Sequence, residues 1–360
     1  MATAPLNLEA DVAELTRDIC DIESVSGNEK QLADAIEAAL KKYSHLEVIR
    51  DGDAIVARTN LGRANRVVIA GHIDTVPVAN NLPIQMLSME REQVLYGRGT
   101  VDMKAGVAVQ LKLAATLAEP TSDVTWIFYD HEEVEATKNG LGRLARNRPE
   151  LLEASFAVLC EPTSAQVEGG CNGTMRIDLT FSGVKAHSAR PWMGKNAIHG
   201  AAQALAILAA YQPAEIDVDG LVYRESLNAV LIGGGIATNV IPDECVITVN
   251  YRFAPSKSAA DAEAHLREVF AGMEMAVVDV AEGARPGLDR AEAQAFVAAT
   301  QTQARPKYGW TDVARFSALG IPAVNFGPGD PSKAHADDEA VPVSQIYACE
   351  KALRAWLSVG

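Results

Sequence analysis

Apolar positions over residues 7–40 recur at helical spacing, broken like a loop at Ile22-Glu23-Ser24-Val25-Ser26-Gly27 and resuming over 29–40. Two strand-like runs follow at 46–50 and 54–59, with Asp51-Gly52-Asp53 as the turn between them. A strand at 66–70 leads into a long loop containing Pro77 and Pro83. Residues 103–117 are alanine-rich and strongly helical in period. A strand at 124–129, a helix near 141–146 and a strand at 156–160 complete an alternating α/β pattern, which implies a mostly parallel sheet.

The pattern changes at Gly169-Gly170-Cys171-Asn172-Gly173. Residues 175–182 alternate as a half-buried strand, 197–211 form an alanine-rich helix, 229–232 and 244–253 are strands, and 259–270 is a helix. This reads as a small α+β sandwich. After Gly283-Ala284-Arg285-Pro286-Gly287 the α/β pattern resumes and ends in an amphipathic helix at 343–357. The expected organisation is a catalytic domain in two pieces, 1–173 and 287–360, with 174–286 inserted.

Composition narrows the function classes. The chain has 360 residues, 48% hydrophobic and 22% charged, which suits about two globular domains. A net charge of −15 argues against nucleic acid and anionic membranes as partners. No apolar run approaches the ~20 residues of a membrane-spanning helix. The first residues lack the basic and apolar regions of a secretory signal. Cys20, Cys160, Cys171, Cys245 and Cys349 are odd in number and scattered, the pattern of reduced thiols. A soluble cytoplasmic protein is expected.

The candidate chemistry lies at the ends of the apolar runs. His72 closes the apolar run at 67–71, and Asp74, two residues on, projects to the same side, where a carboxylate can orient a ligating imidazole. A surface His beside an unrelated Asp would look the same. Asp102 sits in Gly97-Arg98-Gly99-Thr100-Val101-Asp102-Met103-Lys104, where it can cap a helix or, with two oxygens, bridge two cations. Adjacent Glu132 and Glu133 must point differently, so one can bind metal while the other acts as general base; a solvated acidic turn is the alternative. Glu161, fixed by Pro162, ends another strand, and His335 follows residues 321–326 through a Gly/Pro loop. His45, His131, His199 and His265 have no ligand-like context and are expected at the surface. Ligands of open parallel sheets bind at the strands' carboxyl ends, so the five residues His72, Asp102, Glu133, Glu161 and His335 suggest a metal-dependent hydrolase, with two ions.

Together these segments resemble the M20 family of metallopeptidases and N-acyl-amino-acid deacylases over essentially the whole chain. The resemblance is carried by Gly71-His72-Ile73-Asp74, Gly97 through Lys104, Glu132-Glu133, Gly183-Val184-Lys185-Ala186-His187-Ser188-Ala189-Arg190-Pro191, and Ala237-Thr238-Asn239-Val240-Ile241-Pro242-Asp243. It implies a Zn-exopeptidase-like α/β fold, a mostly parallel sheet flanked by helices, with an inserted lid domain that forms a homodimer. It implies two Zn2+ ions, one replaceable by Co2+ or Mn2+, bridged by Asp102, with His72 and Glu161 on one and Glu133 and His335 on the other. Glu132 would be the general base, Asp74 the support of His72, and His187 an oxyanion donor reaching across the dimer. In many relatives the peptide bond after Asp102 is cis. Within the family, residues 309–329 are most similar to actinobacterial members that hydrolyse N-succinyl-LL-2,6-diaminopimelate in lysine biosynthesis. That resemblance implies substrate contacts from Asn239 (of the partner subunit), Arg252, Thr311 and Gly327, and a small anionic N-acyl amino acid as substrate, for whose carboxylates Arg252 and Arg315 supply suitable guanidiniums. Acetylornithine deacetylase, N-acyl-amino-acid deacylase and carboxypeptidase activities are the alternatives, with a non-catalytic binding relative behind them. Ala105 replaces the first glycine usual after Asp-Met-Lys, and Cys171-Asn172 stands where many other desuccinylases carry arginines.

Overall fold

The computed structural model describes residues 5–89 and 92–358. They form two compact units: one holds the described residues up to Gly169, Pro286–Arg305 and those from Arg315; the other holds Gly170–Arg285 and Pro306–Ala314. Residues 306–314, expected with the C-terminal piece, group with the second unit. There the Asn172 N–H donates to Lys307 O at 3.2 Å and Trp310 Nε1–H donates to Glu282 O at 3.0 Å. This segment is irregular, so no periodicity marked the excursion.

The first unit is built on one sheet. Its order is Glu47–Asp51, Ala54–Arg58, Asp123–Tyr129, Arg66–His72, Phe156–Leu159, Ala323–Asn325, Glu168–Gly169, then a short edge strand that starts at Arg305. The central four run parallel, in register His72 with Tyr129, Ala70 with Leu159, and Asn325 with Leu159. Their carboxyl ends therefore finish at one edge. Residues such as Val68, Ile69, Val124 and Val158 are buried in these strands, each stabilising the unit by roughly 1.5–3 kcal/mol. Helix Lys104–Thr116 is buried on nearly all sides, against helices Val12–Cys20 and Val343–Ser358 and strand Arg66–His72. Its run of small residues permits that enclosure.

The expected long loop contains a hairpin of Gln85–Met89 with Glu92–Tyr96. Gln85–Met89 is exposed throughout, so burial imposes no alternation on its sequence.

The second unit has an antiparallel sheet in the order Ser226–Gly234, Glu244–Phe253, Gly173–Ser182, Glu274–Ala281. Alternate residues Ile247, Val249 and Tyr251, with Met175, Ile177 and Leu179, form its core together with Ala204 and Leu266 of helices Ala202–Ala210 and Ala259–Val269. The helix expected over 197–211 is divided into Ala197–Gly200 and Ala202–Ala210. Strand Glu274–Ala281 escaped the sequence reading because its residues are largely exposed on both faces. Among the described residues no helix is long and apolar enough to cross a membrane.

Candidate metal centre

The parallel strands deliver the donors. His72 is the last residue of its strand, Glu132 and Glu133 follow Tyr129, Glu161 follows Leu159, and His335 lies in the loop beyond Asn325. Asp102 precedes helix Lys104–Thr116, and the Asp102–Met103 peptide bond is cis, as the resemblance implied. Three donor groups have all their ligand atoms within 4.8 Å of one another: His72, Asp102 and Glu161; His72, Glu132 and Glu133; Asp102, Glu133 and His335.

Asp102 is the hub. His72 Nε2 lies 3.0 Å from its Oδ1 and His335 Nε2 lies 3.4 Å from its Oδ2. The carboxylate thus turns one oxygen to each histidine, and His335 Nε2 also meets Glu133 Oε1 at 3.0 Å. Such a set of imidazole nitrogens and carboxylate oxygens suits zinc and similar divalent cations. Burial disfavours a charge on both His72 and Asp102. Hydrogen bonds to Asp102 and Asp74 outweigh it for His72, whose pKa is raised well above the ordinary value. Those from His335 and His72 outweigh it for Asp102, which lies well below the usual carboxylate range. Hydrogen bonds to Asp102 and Glu133 push His335 up to about 10. A cation entering here competes with protons for these nitrogens.

Asp74 supports more than His72. His72 Nδ1 is 3.0 Å from the Asp74 carbonyl oxygen and 3.5 Å from its carboxylate, leaving Nε2 toward Asp102. The carboxylate itself accepts the Glu132 N–H at 3.0 Å, the Glu133 N–H at 3.1 Å and the Ser26 hydroxyl at 2.6 Å. It therefore aims the paired glutamates as well. Glu161 is held by close backbone approach: a Cβ on Gly106 would lie 2.2 Å from Cys160 O, and one on Gly327 2.3 Å from it and 2.6 Å from Glu161 O. Both positions require glycine. Gly327, expected to touch substrate, also accepts the Thr163 hydroxyl at 3.1 Å and the Ala165 N–H at 2.9 Å through its carbonyl.

Several contributors had no sequence signal. Ser26 lies in what reads as a plain loop, and Glu339 is fully buried beside the Asp102 turn. His131, expected at the surface, is held by Asp130 Oδ2 at 2.8 Å and Glu29 Oε1 at 3.3 Å. His265 meets the Tyr211 hydroxyl at 2.8 Å, and His45 Nε2 lies 2.9 Å from Ala114 O, so neither is simply solvated. Apart from the neighbouring Asp130, long-range pairing fixes these contacts.

In the second unit, strand Ala186–His187 pairs with Val240–Ile241, and the Ser188 N–H donates to Asn239 O at 2.9 Å. His187 and Asn239 are thereby brought side by side. His187 is exposed, and its Nδ1 accepts the Ala189 N–H at 3.1 Å, which leaves the proton of a neutral ring on Nε2. Arg252 is half-buried, donates from Nε to Asn250 Oδ1 at 3.1 Å, and is lowered by burial. Thr311 is buried, its carbonyl 3.7 Å from Cys171 Sγ. Arg315, in the first unit, lies over Gly142, where an added Cβ would come within 2.8 Å of its Nη1.

Known proteins match this chain over nearly its full length. A putative succinyl-diaminopimelate desuccinylase of Mycobacterium tuberculosis is 52% identical over 355 residues, 98% of this chain and 99% of the relative. The succinyl-diaminopimelate desuccinylase of Corynebacterium glutamicum is 48% identical over 364 residues, 98% of each. Among solved structures, an M20 family metallo-carboxypeptidase of Sulfolobus solfataricus superposes with a TM-score of 0.75 at 15% identity, covering 97% of this chain and 98% of that one. The family model for peptidase family M20/M25/M40 matches residues 68–358, a span that contains every donor of the metal centre. The chain belongs to peptidase family M20/M25/M40.

Proposed function

We propose that this protein is a binuclear zinc amide hydrolase that converts N-succinyl-LL-2,6-diaminopimelate and water to succinate and LL-2,6-diaminopimelate, a cytoplasmic step of lysine biosynthesis. The observation that carries the substrate is the 48–52% identity, end to end, with relatives named for that activity. With one oxygen turned to each histidine, Asp102 would hold a pair of ions, which His72 and Glu161 would complete on one side and Glu133 and His335 on the other. Bound there, divalent ions would polarise the scissile carbonyl and lower the pKa of water to about 7.

The residues supply the rest. Glu132, whose carboxylate groups with His72 and Glu133, takes the proton of the attacking water. As the succinyl C–N bond breaks, Glu132 returns that proton to the departing amine, and the hydroxyl oxygen remains in the new carboxylate of succinate. His187 Nε2–H is the donor for the oxyanion that develops on the carbonyl. It and Asn239 act from the partner subunit of a homodimer. The dimer reading is supported by edge strand Ser226–Gly234, which exposes Val230, Leu231 and Ile232 in succession. Three carboxylates of the substrate call for guanidinium partners, which Arg252 and Arg315 offer, and Thr311 and Gly327 are further candidate contacts.

The test is a panel of succinyl-diaminopimelate, acetylornithine and dipeptides with zinc supplied. The succinyl substrate is expected to give the highest kcat/KM. A higher value for another acyl group refutes the substrate, and no hydrolysis of any member refutes the reaction.

A further inference from the structure

We infer that Glu339 is a positioning residue of the metal centre. With Arg98 as counter-ion, its carboxylate holds the Asp102 turn against the segment that carries His335, so that both face one cation. The inference rests on the binuclear reading and adds a division of labour between the two ion positions.

Glu339 is fully buried, where an ionised carboxylate is costly unless every oxygen is engaged. Its Oε1 accepts the Val101 N–H at 2.8 Å and the Asp102 N–H at 3.1 Å, and its Oε2 accepts from Arg98 Nη1 at 2.8 Å. Two successive peptide groups at the bridging aspartate are therefore fixed by one oxygen. Arg98, its neighbour Gly97 and Asn81 tie down the chain just after His335. Arg98 Nη1 donates to Ala336 O at 3.2 Å, the Gly97 N–H donates to Glu339 O at 2.9 Å, and Asn81 Nδ2 donates to Asp337 O at 3.3 Å. His335 itself is half exposed and has a left-handed backbone, φ 65°, so its own loop gives it little support.

The other ion position is supported differently. His72 belongs to strand Arg66–His72 and is oriented by Asp74, while Glu161 follows strand Phe156–Leu159 and is held in the Gly106–Gly327 slot. His72 meets the Glu339 network through Asp102, 3.0 Å from its Oδ1, but its own position is set by the sheet. Both positions share Asp102, so removing the Glu339 charge should weaken both, but more strongly the ion that also needs His335, whose loop the same network ties down. Glu339→Gln keeps the shape and one acceptor, but its amide group would face the Arg98 donor.

Stepwise zinc titration against a chromophoric chelator tests this, on the full chain as wild type, Glu339→Gln, Glu339→Asp and Arg98→Lys, with the thermal midpoint of each apo-protein. In Glu339→Gln one binding step should weaken about 10–100-fold, the usual cost of losing such a supporting partner, while the other weakens by a clearly smaller factor. Glu339→Asp should recover part of the loss. Two unchanged steps overturn the inference. So do two steps weakened equally, or weakening that simply follows the apo-protein midpoint across the variants, because a merely structural ion pair would act that way. The wild-type curve alone judges the underlying reading: a single ion per chain refutes the binuclear site, and the inference with it.

Discussion

Replacing Asp74 by Asn isolates the charge and acceptor capacity of one side chain without changing its shape. Asp74 is fully buried, and each of its oxygens serves a backbone donor: Oδ1 the Glu132 N–H, Oδ2 the Glu133 N–H and the Ser26 hydroxyl. An amide has one acceptor oxygen. Whichever way it turns, its NH2 group faces one of the two N–H groups, which loses its partner. The Ser26 hydroxyl can reverse and accept, but a peptide N–H cannot. Leaving one buried donor unsatisfied costs about 1–3 kcal/mol. The lost charge also weakens the hold on His72, whose raised pKa depends in part on Asp74, so zinc affinity should fall about 10–100-fold. Urea unfolding of the apo-protein measures the first effect and chelator competition the second. A variant within about 0.5 kcal/mol of wild type, the scatter of neutral surface changes, with unaltered zinc affinity, would refute the account of this carboxylate.

Glu132→Gln should retain bound metal and lose turnover; near-normal activity in a substrate assay would remove Glu132 as the base. His187→Ala should lower kcat about 100-fold or more at unchanged metal content, because an oxyanion donor carries that much, and an unchanged kcat would reject the role. Gly106→Ala has a diagnostic sign: in an ordinary helix interior the change stabilises by roughly 0.5–1 kcal/mol, but here the methyl would sit 2.2 Å from Cys160 O. A lower thermal midpoint with reduced metal content is expected, and a higher midpoint contradicts the close-approach argument. Asp123 gives a pH dependence away from the metal centre. Burial pushes its pKa up, but N–H groups of Leu61 and Arg63, the Thr59 hydroxyl and Arg66 outweigh that and leave it lowered. Its contribution is therefore present above the unfolded value of about 3.9 and is lost as pH falls through the lower folded value. Urea midpoints measured across acid pH should fall more steeply for wild type than for Asp123→Asn; parallel curves would exclude the linkage.

The α/β alternation and the strand ends that carry His72, Glu133 and Glu161 were legible because continuous apolar runs stop abruptly at an imidazole or an acid. That signal is local. The contacts that set the geometry are not: Ser26 and Glu132 meet on Asp74, and Glu339 reaches back to Val101 and Asp102. Residues so far apart in the chain share no periodicity, and a buried Glu339 after Asp337-Asp338 looks like one more member of an acidic surface run. His131 shows the converse failure. A histidine in an acidic turn reads as solvated until the fold brings Glu29 beside it. The excursion of residues 306–314 into the second unit is invisible for another reason, since irregular backbone carries no pattern to read.

The position of His335 in the chain has a consequence for biosynthesis. Four of the five donors are translated by residue 161, but the fifth, with Glu339 four residues later, follows the whole inserted segment. A chain cut anywhere between Glu161 and His335 contains His72, Asp102, Glu133 and Glu161 and lacks the second imidazole. It also lacks the carboxylate that ties the Asp102 turn to that loop. Domains fold progressively as the chain emerges, so the early donors can assemble while the centre is still incomplete. A full complement of metal therefore reports that translation reached the last part of the chain and that this part folded back onto the sheet.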